Sequence, residues 1–266
     1  MDIKSWIAAA RLRTLPLAFS CIILGNFLAN STGQFRWSIL IWSLLTTLLY
    51  QVLSNFANDY GDGVKGTDDG REGEKRAVAS GDITASGMKK AVILFAILSW
   101  LSGAWLSYLG TTSDLVFYIF LGLNTAAVVS AIRYTVGGSA YGYRGLGDVY
   151  VILFFGLIGV LGSYYLQTGS IKYSVLLPGF AVGMLATGVL NLNNMRDIEN
   201  DKKHGKQTVP VRIGLKSAKV YHSVLLFGSQ LLMAAYVFLE AQSGWAWLFA
   251  LISPVVIIQW RKAMQA

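Results

Sequence analysis

Residues 91–109, AVILFAILSWLSGAWLSYL, decide the fold, because they form a long apolar stretch without a single charged side chain. A helix of this length is about 28 Å long, close to the roughly 30 Å thickness of the hydrocarbon core of a bilayer. Hydrocarbon offers no partners to backbone polar groups, and a helix satisfies these groups within its own segment. Residues 91–109 are therefore predicted to form a transmembrane helix.

Seven further apolar runs of similar length are distributed over the rest of the chain. They lie at residues 15–29, 39–55, 114–132, 149–167, 173–192, 220–239 and 245–260. Charged residues make up only 14% of the 266 residues, against roughly 25% in a typical soluble domain. The sequence thus predicts an all-α, polytopic transmembrane helix bundle with eight spans, the last of which is interrupted by Pro254.

The basic residues between the spans indicate how the chain is oriented. With eight crossings and a cytoplasmic N-terminus, only Arg36 and Lys172 of the 22 lysines and arginines fall on the outer side. Basic residues prefer cytoplasmic loops, so this orientation is predicted. The same distribution explains the net charge of +8 without nucleic acid, because the basic residues flank spans and form no basic stripe. Residues 2–10 are expected to form a short amphipathic helix at the membrane interface.

Two cytoplasmic loops, residues 56–90 and 193–219, are long and polar. Long loops in compact proteins usually carry function. These loops follow the second and the sixth predicted span, so each has the same place within a unit of four spans. The chain is therefore interpreted as one membrane-embedded domain, 1–266, with two related halves at about 1–133 and 134–266.

Each long loop begins with a cluster of carboxylate and amide side chains. The clusters consist of Asn55, Asn58, Asp59 and Asp62, and of Asn193, Asn194, Asp197 and Asp201. Residues four and seven or eight apart share one face of a helix. We therefore expect Asn55, Asp59 and Asp62 to point in one direction, and the spacing of the second cluster predicts the same there. Acidic residues at helix ends are often merely solvated, but two clusters in matching places favour a binding site.

Carboxylate and amide oxygens suit Mg²⁺, which binds through a few carboxylates and shares its other positions with water and phosphate oxygens. Zinc is disfavoured, because the only histidines, His204 and His222, are far in sequence from the single cysteine, Cys21. The acidic clusters therefore predict a magnesium site.

Basic residues surround the acidic ones in both loops. They are Lys65, Arg71, Lys75, Arg76, Lys202, Lys203, Lys206 and Arg212. Membrane anchoring explains several of them, but a diphosphate held by metal ions also needs nearby cations, and arginine suits forked phosphate contacts. Together these features predict a metal–diphosphate site facing an apolar bundle, which fits a substrate with a diphosphate head and a hydrocarbon tail.

At these residues the chain resembles the UbiA-type membrane prenyltransferases. Asn58-Asp59-Tyr60-Gly61-Asp62 matches the family's first motif, Asn-Asp-x-x-Asp, and Asp197 with Asp201 matches its second, Asp-x-x-x-Asp. Segment 76–81 is similar to the family's Arg-Pro-Leu-x-Ser-Gly sequence, with Ala77 in place of proline, and segment 206–214 is similar to the stretch after the second motif. Within the family, segments 58–63, 65–68 and 144–150 are most similar to members that prenylate 1,4-dihydroxy-2-naphthoate.

The resemblance implies Mg²⁺-dependent transfer of a polyprenyl chain from polyprenyl diphosphate to 1,4-dihydroxy-2-naphthoate with decarboxylation, giving demethylmenaquinone. It implies a bacterial inner membrane and an active site on the cytoplasmic side. The implied catalytic residues are Asp59, Asp62, Asp197 and Asp201, which hold the metal with Asn55, Asn58 and Asn193 or Asn194. The expected diphosphate-binding residues are Arg71, Arg76, Lys206 and Arg212. The expected acceptor-binding residues are Tyr134, Arg133 and Arg144.

The chain departs from the family pattern at two points. Gly66 stands where some members carry a third acid, so Asp68 or Asp69 would have to replace it. The family usually has nine spans, so the ninth either lies beyond residue 266 or is absent. Alternative acceptors are 4-hydroxybenzoate, haem and chlorophyllide. A transporter is the alternative from another class, but the carboxylates lie at the rim of the bundle and no charge lies at mid-depth in any predicted span.

Overall fold

The computed structural model describes residues 2–33, 35–67, 76–138, 140–240 and 244–265, and this part of the chain consists of helices and loops without β-strands. Eight helical segments in it are long and apolar enough to cross a membrane. They are Ile3–Asn30, Trp37–Lys65, Ala85–Gly110, Asp114–Arg133, Gly147–Thr168, Tyr173–Arg196, Val209–Glu240 and Gly244–Gln265, called the first to the eighth span below. The predicted all-α bundle with eight spans is confirmed, and the chain is a multi-pass membrane protein.

Some spans are longer than their apolar cores. The second span continues as helix to Lys65, so the first acidic cluster lies on its last turns. The seventh span begins at Val209, well before its apolar core, and is bent at Gly214, whose φ of 79° departs from helical geometry. An apolar run marks only the part of a helix that lies in hydrocarbon. Polar helical turns outside the hydrocarbon are not predicted from such runs.

The first span consists of two helices joined by a sharp corner. Helix Ile3–Ala10 ends at Arg11, which has the left-handed values φ 48° and ψ 53°, and helix Leu15–Asn30 follows after a short turn. The predicted short N-terminal helix is thus present. The Trp6 ring meets the Phe56 ring edge to face at 5.6 Å, so this helix also packs against the second span.

Close backbone contacts between small residues join the fifth span to its neighbours. A Cβ atom on Gly156 would lie 2.6 Å from the Gly179 oxygen of the sixth span, and one on Gly25 would lie 2.3 Å from the Val160 oxygen. Glycine allows membrane helices to approach this closely. The fifth span therefore connects the first span with the sixth. Between Ile152 and Gly162 the fifth span is a π-helix. This wider helix is rare in proteins overall, and where it occurs it is often at a functional site.

The eighth span begins as a 3₁₀ helix, Gly244–Ile252, and becomes α-helical at Ser253–Gln265. Pro254 lies in the first turn of that α-helix, where its missing N–H is tolerated. At the predicted interruption by Pro254 the chain stays helical and changes from a 3₁₀ to an α-helix.

A hydrogen-bond network of two amide side chains and one arginine lies at the end of the bundle away from the acidic clusters. The buried Gln167 donates to Asn26 Oδ1 at 2.6 Å and to the Arg36 oxygen at 3.1 Å, and it accepts from the Arg36 nitrogen at 2.8 Å. The Arg36 guanidinium donates to the carbonyls of Leu109 and Leu166. This network joins the first, second, third and fifth spans.

Candidate active site

The first acidic cluster lies on one continuous helix, as its spacing predicts. Asn55, Asp59 and Asp62 have exposed fractions of 4%, 1% and 3%, so all three point into the protein. Asn58 is half-buried on the adjacent side. We refer to this end of the bundle as the motif end.

The Asp59 carboxylate is bound to the backbone of the segment that follows the first motif. Its two oxygens accept the N–H groups of Ala77 at 3.0 Å and Val78 at 2.8 Å. Arg76, which directly precedes these residues, is buried at the same place. The predicted diphosphate ligand Arg76 is thereby brought next to the first motif. Arg71, Asp68 and Asp69 lie outside the described residues.

The second acidic cluster does not lie on one helix. The helix of the sixth span, Leu176–Arg196, ends before Asp197, whose ψ of 11° departs from helical values, and a separate short helix runs over Ile198–Lys203. Asp197 and Asp201 are both buried, whereas Asn193 is exposed, so the expectation that all three share one helical face is not met. Asn194, the alternative to Asn193, is buried.

Basic and hydroxyl side chains contact the carboxylates of the second motif. Arg196 donates to both oxygens of Asp197, at 2.7 and 2.9 Å. The Lys206 ammonium lies 3.7 Å from Asp201, which also accepts a 3.4 Å hydrogen bond from the Thr208 hydroxyl. Lys206 thus lies where the sequence predicts a diphosphate-binding cation.

Hydrogen bonds between loops bring the two motifs together at the motif end. The Asn200 amide donates to the Thr67 oxygen at 3.0 Å, which links the short helix of the second motif to the residues directly after the second span. Tyr143, from the loop between the fourth and fifth spans, donates to Asp62 at 2.8 Å, and its carbonyl accepts the Gln207 N–H at 2.9 Å. The two motifs are therefore neighbours in space although more than a hundred residues separate them.

A cavity of about 430 Å³ runs from the motif end into the bundle and is lined by the first six spans. This volume lies within the usual range of small-molecule sites. Of the predicted site residues, Asn55, Asn58, Asn193 and Tyr134 line it. Each acidic motif thus contributes an amide side chain to one and the same cavity.

Aromatic rings form one wall of the cavity near the motif end. Tyr141 stacks on Tyr150 at 3.8 Å between ring centres, meets Tyr134 edge to face at 5.3 Å, and donates its hydroxyl to the Ser130 oxygen. Burial raises the pKa of the Tyr134 and Tyr141 phenols, so both stay neutral at ordinary pH. The cavity therefore presents uncharged, electron-rich ring faces.

The cavity also contains a cation that sequence reasoning missed. Among the described residues that line it, Arg11 is the one charged side chain. Asn55 holds the backbone corner at Arg11 in place, because its amide donates to the Ala10 oxygen at 2.8 Å and to the Thr14 hydroxyl at 3.3 Å. In sequence, Arg11 is indistinguishable from an anchoring arginine at the start of a span.

Three predicted basic residues lie away from the cavity. Arg133 and Arg144 are exposed and are not part of its lining. Arg212 is also exposed, and its guanidinium donates to the Arg144 oxygen at 2.6 Å, so it fastens the loop between the fourth and fifth spans.

The oxygen donors at the motif end are chemically suited to Mg²⁺. Carboxylates of both motifs and the amides of Asn58 and Asn193 supply hard oxygen atoms of the kind this ion prefers. Within the ranges that the structure describes, no three His, Cys, Asp or Glu side chains are close enough together to hold a metal ion by themselves. Amide, water and phosphate oxygens would therefore complete the coordination.

The sequence is similar to a known protein family and to curated members of it. Residues 18–265 match the model of the UbiA prenyltransferase family. A 1,4-dihydroxy-2-naphthoate octaprenyltransferase of Escherichia coli is 43% identical over 98% of this chain and 85% of its own. The enzyme of the same name from Haemophilus influenzae is 46% identical over 96% of this chain and 83% of its own.

Two solved structures share the fold. An apo UbiA homolog from Aeropyrum pernix has a TM-score of 0.72 at 18% identity, covering 100% of this chain and 90% of its own. A UbiA homolog from Archaeoglobus fulgidus bound to GPP and Mg²⁺ has a TM-score of 0.66 at 19% identity, covering 96% of this chain and 84% of its own. Because the family model matches residues 18–265, nearly the whole of this chain, the chain belongs to the UbiA prenyltransferase family.

Proposed function

We propose that this chain transfers a polyprenyl chain from polyprenyl diphosphate to 1,4-dihydroxy-2-naphthoate in a Mg²⁺-dependent reaction that releases CO₂ and diphosphate. The observation that carries the proposal is the meeting of two acidic motifs at the mouth of one apolar cavity, which suits a charged head and a hydrocarbon tail. The naphthoate enzymes at 43% and 46% identity support the choice of acceptor.

The motif end would hold the diphosphate. Asp59, Asp62, Asp197 and Asp201, with Asn58 and Asn193, would hold Mg²⁺, which when bound neutralises charge on the leaving diphosphate. Lys206 and Arg76 would contact the phosphate oxygens directly, because they lie beside the second and the first motif respectively. Arg71 is proposed for the same role from the family resemblance alone. Arg212 would act through the loop that it fastens.

The cavity would guide the carbon chemistry. As the bond between the prenyl carbon and the diphosphate oxygen breaks, the faces of Tyr134, Tyr141 and Tyr150 would stabilise the allylic cation by about 0.5–2 kcal/mol each. The naphthalene carbon that carries the carboxylate then bonds to the prenyl carbon. The electron pair of the bond to the carboxylate returns to the ring as CO₂ leaves. The product is demethylmenaquinone in its reduced, quinol form, and the apolar walls keep water from the cation.

Arg11 is our candidate for the acceptor carboxylate, because it is the cation among the described residues that line the cavity. A charge in such surroundings is costly and usually serves function. Arg133 and Arg144 remain alternatives for this role, at the edge of the bundle.

A transfer assay with one polyprenyl diphosphate and several acceptors tests the proposed function. We expect product with 1,4-dihydroxy-2-naphthoate, its loss when EDTA removes Mg²⁺, and release of one CO₂ per product from carboxyl-labelled acceptor. Preference for 4-hydroxybenzoate, or transfer without Mg²⁺, would contradict the proposal.

The role of Arg11 is tested with Arg11→Gln and with the exposed neighbour Arg13→Gln as matched control. We expect Arg11→Gln to raise KM for the naphthoate about tenfold, the worth of one charged hydrogen bond, and to leave KM for polyprenyl diphosphate unchanged. Equal increases of both KM values, or an equal effect of Arg13→Gln, would contradict the assignment.

The distribution of basic residues supports one orientation of the chain in the membrane. Because basic residues prefer cytoplasmic loops, the motif end and the N-terminus would face the cytoplasm of a bacterial inner membrane. The matching positions of the two motifs support the interpretation of one domain with two related halves of four spans.

A further inference from the structure

Tyr143 lies between the two acidic motifs, in the 3₁₀ turn Tyr141–Arg144. Its hydroxyl donates to Asp62 at 2.8 Å and lies 2.6 Å from the Thr67 hydroxyl. A phenol has a single hydrogen, and Asp62 receives it, so Thr67 must donate to the phenol oxygen. Both hydrogen bonds fix the phenol relative to the end of the second span.

Two lysine ammonium groups lie close to the Tyr143 ring. The Lys65 nitrogen lies 4.0 Å from the ring centre and the Lys206 nitrogen 5.5 Å from it. Lys65 follows the first motif and also donates to the Thr135 oxygen at 2.6 Å, whereas Lys206 follows the second motif and lies beside Asp201. One ring thus places a cation from each motif's loop at the motif end.

An aromatic ring holds cations differently from a carboxylate. The negative ring face attracts an ammonium group with about 0.5–2 kcal/mol but carries no net charge. The ring adds no charge that would neutralise Lys65 and Lys206, and the mutual repulsion of the two ammonium groups favours an anion that binds both. Backbone contacts add rigidity, because the Tyr143 carbonyl accepts the Gln207 N–H directly after Lys206.

We propose that Tyr143 is a positioning residue that couples the two acidic motifs, and that Lys65 forms with Lys206 a pair that binds the diphosphate across its ring. The inference rests on the proposed function and adds Lys65 and Tyr143 to its site. The hydroxyl orients Asp62 toward the metal position, as outer partners of metal ligands commonly do. The ring sets the position of the two cations.

Binding of inorganic pyrophosphate with Mg²⁺ tests this inference without any transfer step. The full chain in detergent is titrated by calorimetry, first with pyrophosphate at saturating Mg²⁺ and then with Mg²⁺ at fixed pyrophosphate. Tyr143→Phe removes the hydroxyl and keeps the ring, Tyr143→Leu removes both, and Lys65→Gln removes one cation. Lys216→Gln, on an exposed position of the seventh span, is the matched charge control.

The variants are expected to separate the two roles of Tyr143. Tyr143→Phe should raise the half-saturating Mg²⁺ concentration roughly fivefold, because one hydrogen bond to a charged group is lost, while pyrophosphate affinity at saturating Mg²⁺ stays unchanged. Tyr143→Leu and Lys65→Gln should each weaken pyrophosphate binding about tenfold. Lys216→Gln should bind like the natural chain.

The outcomes distinguish this inference from the proposed function. If the natural chain does not bind pyrophosphate with Mg²⁺, the proposed function itself fails. If the natural chain binds but Tyr143→Phe keeps its Mg²⁺ dependence and Lys65→Gln keeps its pyrophosphate affinity, the inference is overturned. These two conservative variants decide the outcome even if Tyr143→Leu fails to fold.

Discussion

The two acidic motifs have equivalent places in the chain but are held in different ways. In the first motif, Asp59 lies on an unbroken helix, and both of its oxygens accept backbone N–H groups of the following segment. In the second motif, Asp197 lies at a helix break and is held by the side chain of its neighbour Arg196, which is 45% exposed.

This difference gives the two motifs different roles, one mainly structural and one in ligand binding. Backbone donors do not rotate away as a side chain does, so the first carboxylate is part of the scaffold as well as a ligand candidate. An exposed arginine can release its partner at little cost, because a surface ion pair is worth at most about 1 kcal/mol. We infer that the first motif fixes the site and that the second adjusts when a metal and a diphosphate bind.

The largest effect is expected from Asp59→Asn and Asp197→Asn. Both should lower transfer at least about a hundredfold, because each removes a charge that the reaction needs. Only Asp59→Asn should also destabilise the fold, by about 1–3 kcal/mol, because an amide NH₂ cannot accept a backbone N–H. Thermal unfolding without Mg²⁺ and transfer with Mg²⁺ are measured on the same preparations.

Equal losses of stability in these two variants would show that the motifs are held alike. Full transfer activity in either variant would remove that aspartate from the metal site. Asp114→Asn, at the start of the fourth span and far from the motif end, is the matched control.

Much of the fold and half of the site geometry can be predicted from the sequence. Apolar runs define the eight spans, because their length is fixed by the bilayer and not by details of packing. The spacing of Asn55, Asp59 and Asp62 predicts a shared buried face, since the helix there is regular. Matching positions of the two motifs indicate that they meet, and the hydrogen bond from Asn200 to Thr67 confirms it.

The rest depends on contacts that sequence spacing does not encode. The break at Asp197 departs from the regular helix that the spacing of the second motif predicts. Arg11 lines the cavity because the chain turns sharply beside Asn55, and its sequence neighbours look like ordinary span flanks. Tyr143 is one of 13 tyrosines and is distinguished only by what it touches.

A moderate effect is expected from Arg196→Gln, which breaks the contact that distinguishes the second motif. Arg196 occupies both oxygens of Asp197, so a metal ion must compete with it. We expect the Mg²⁺ concentration for half-maximal transfer to fall about threefold, in line with a surface ion pair. A higher Mg²⁺ requirement would show instead that Arg196 orients Asp197 for the metal.

The smallest effect is expected from Asn200→Ala, which removes the direct hydrogen bond between the two motif regions. One hydrogen bond to a backbone carbonyl is worth about 1 kcal/mol, so we expect transfer to fall roughly threefold to fivefold. Glu199→Gln, an exposed neighbour in the same short helix, should have no effect.

A loss as large as that of Asp197→Asn would mean that Asn200 contacts the reacting groups. Unchanged transfer would mean that the motifs stay together without this hydrogen bond, because the contacts of Tyr143 to Asp62 and Gln207 remain when the Asn200 amide is gone.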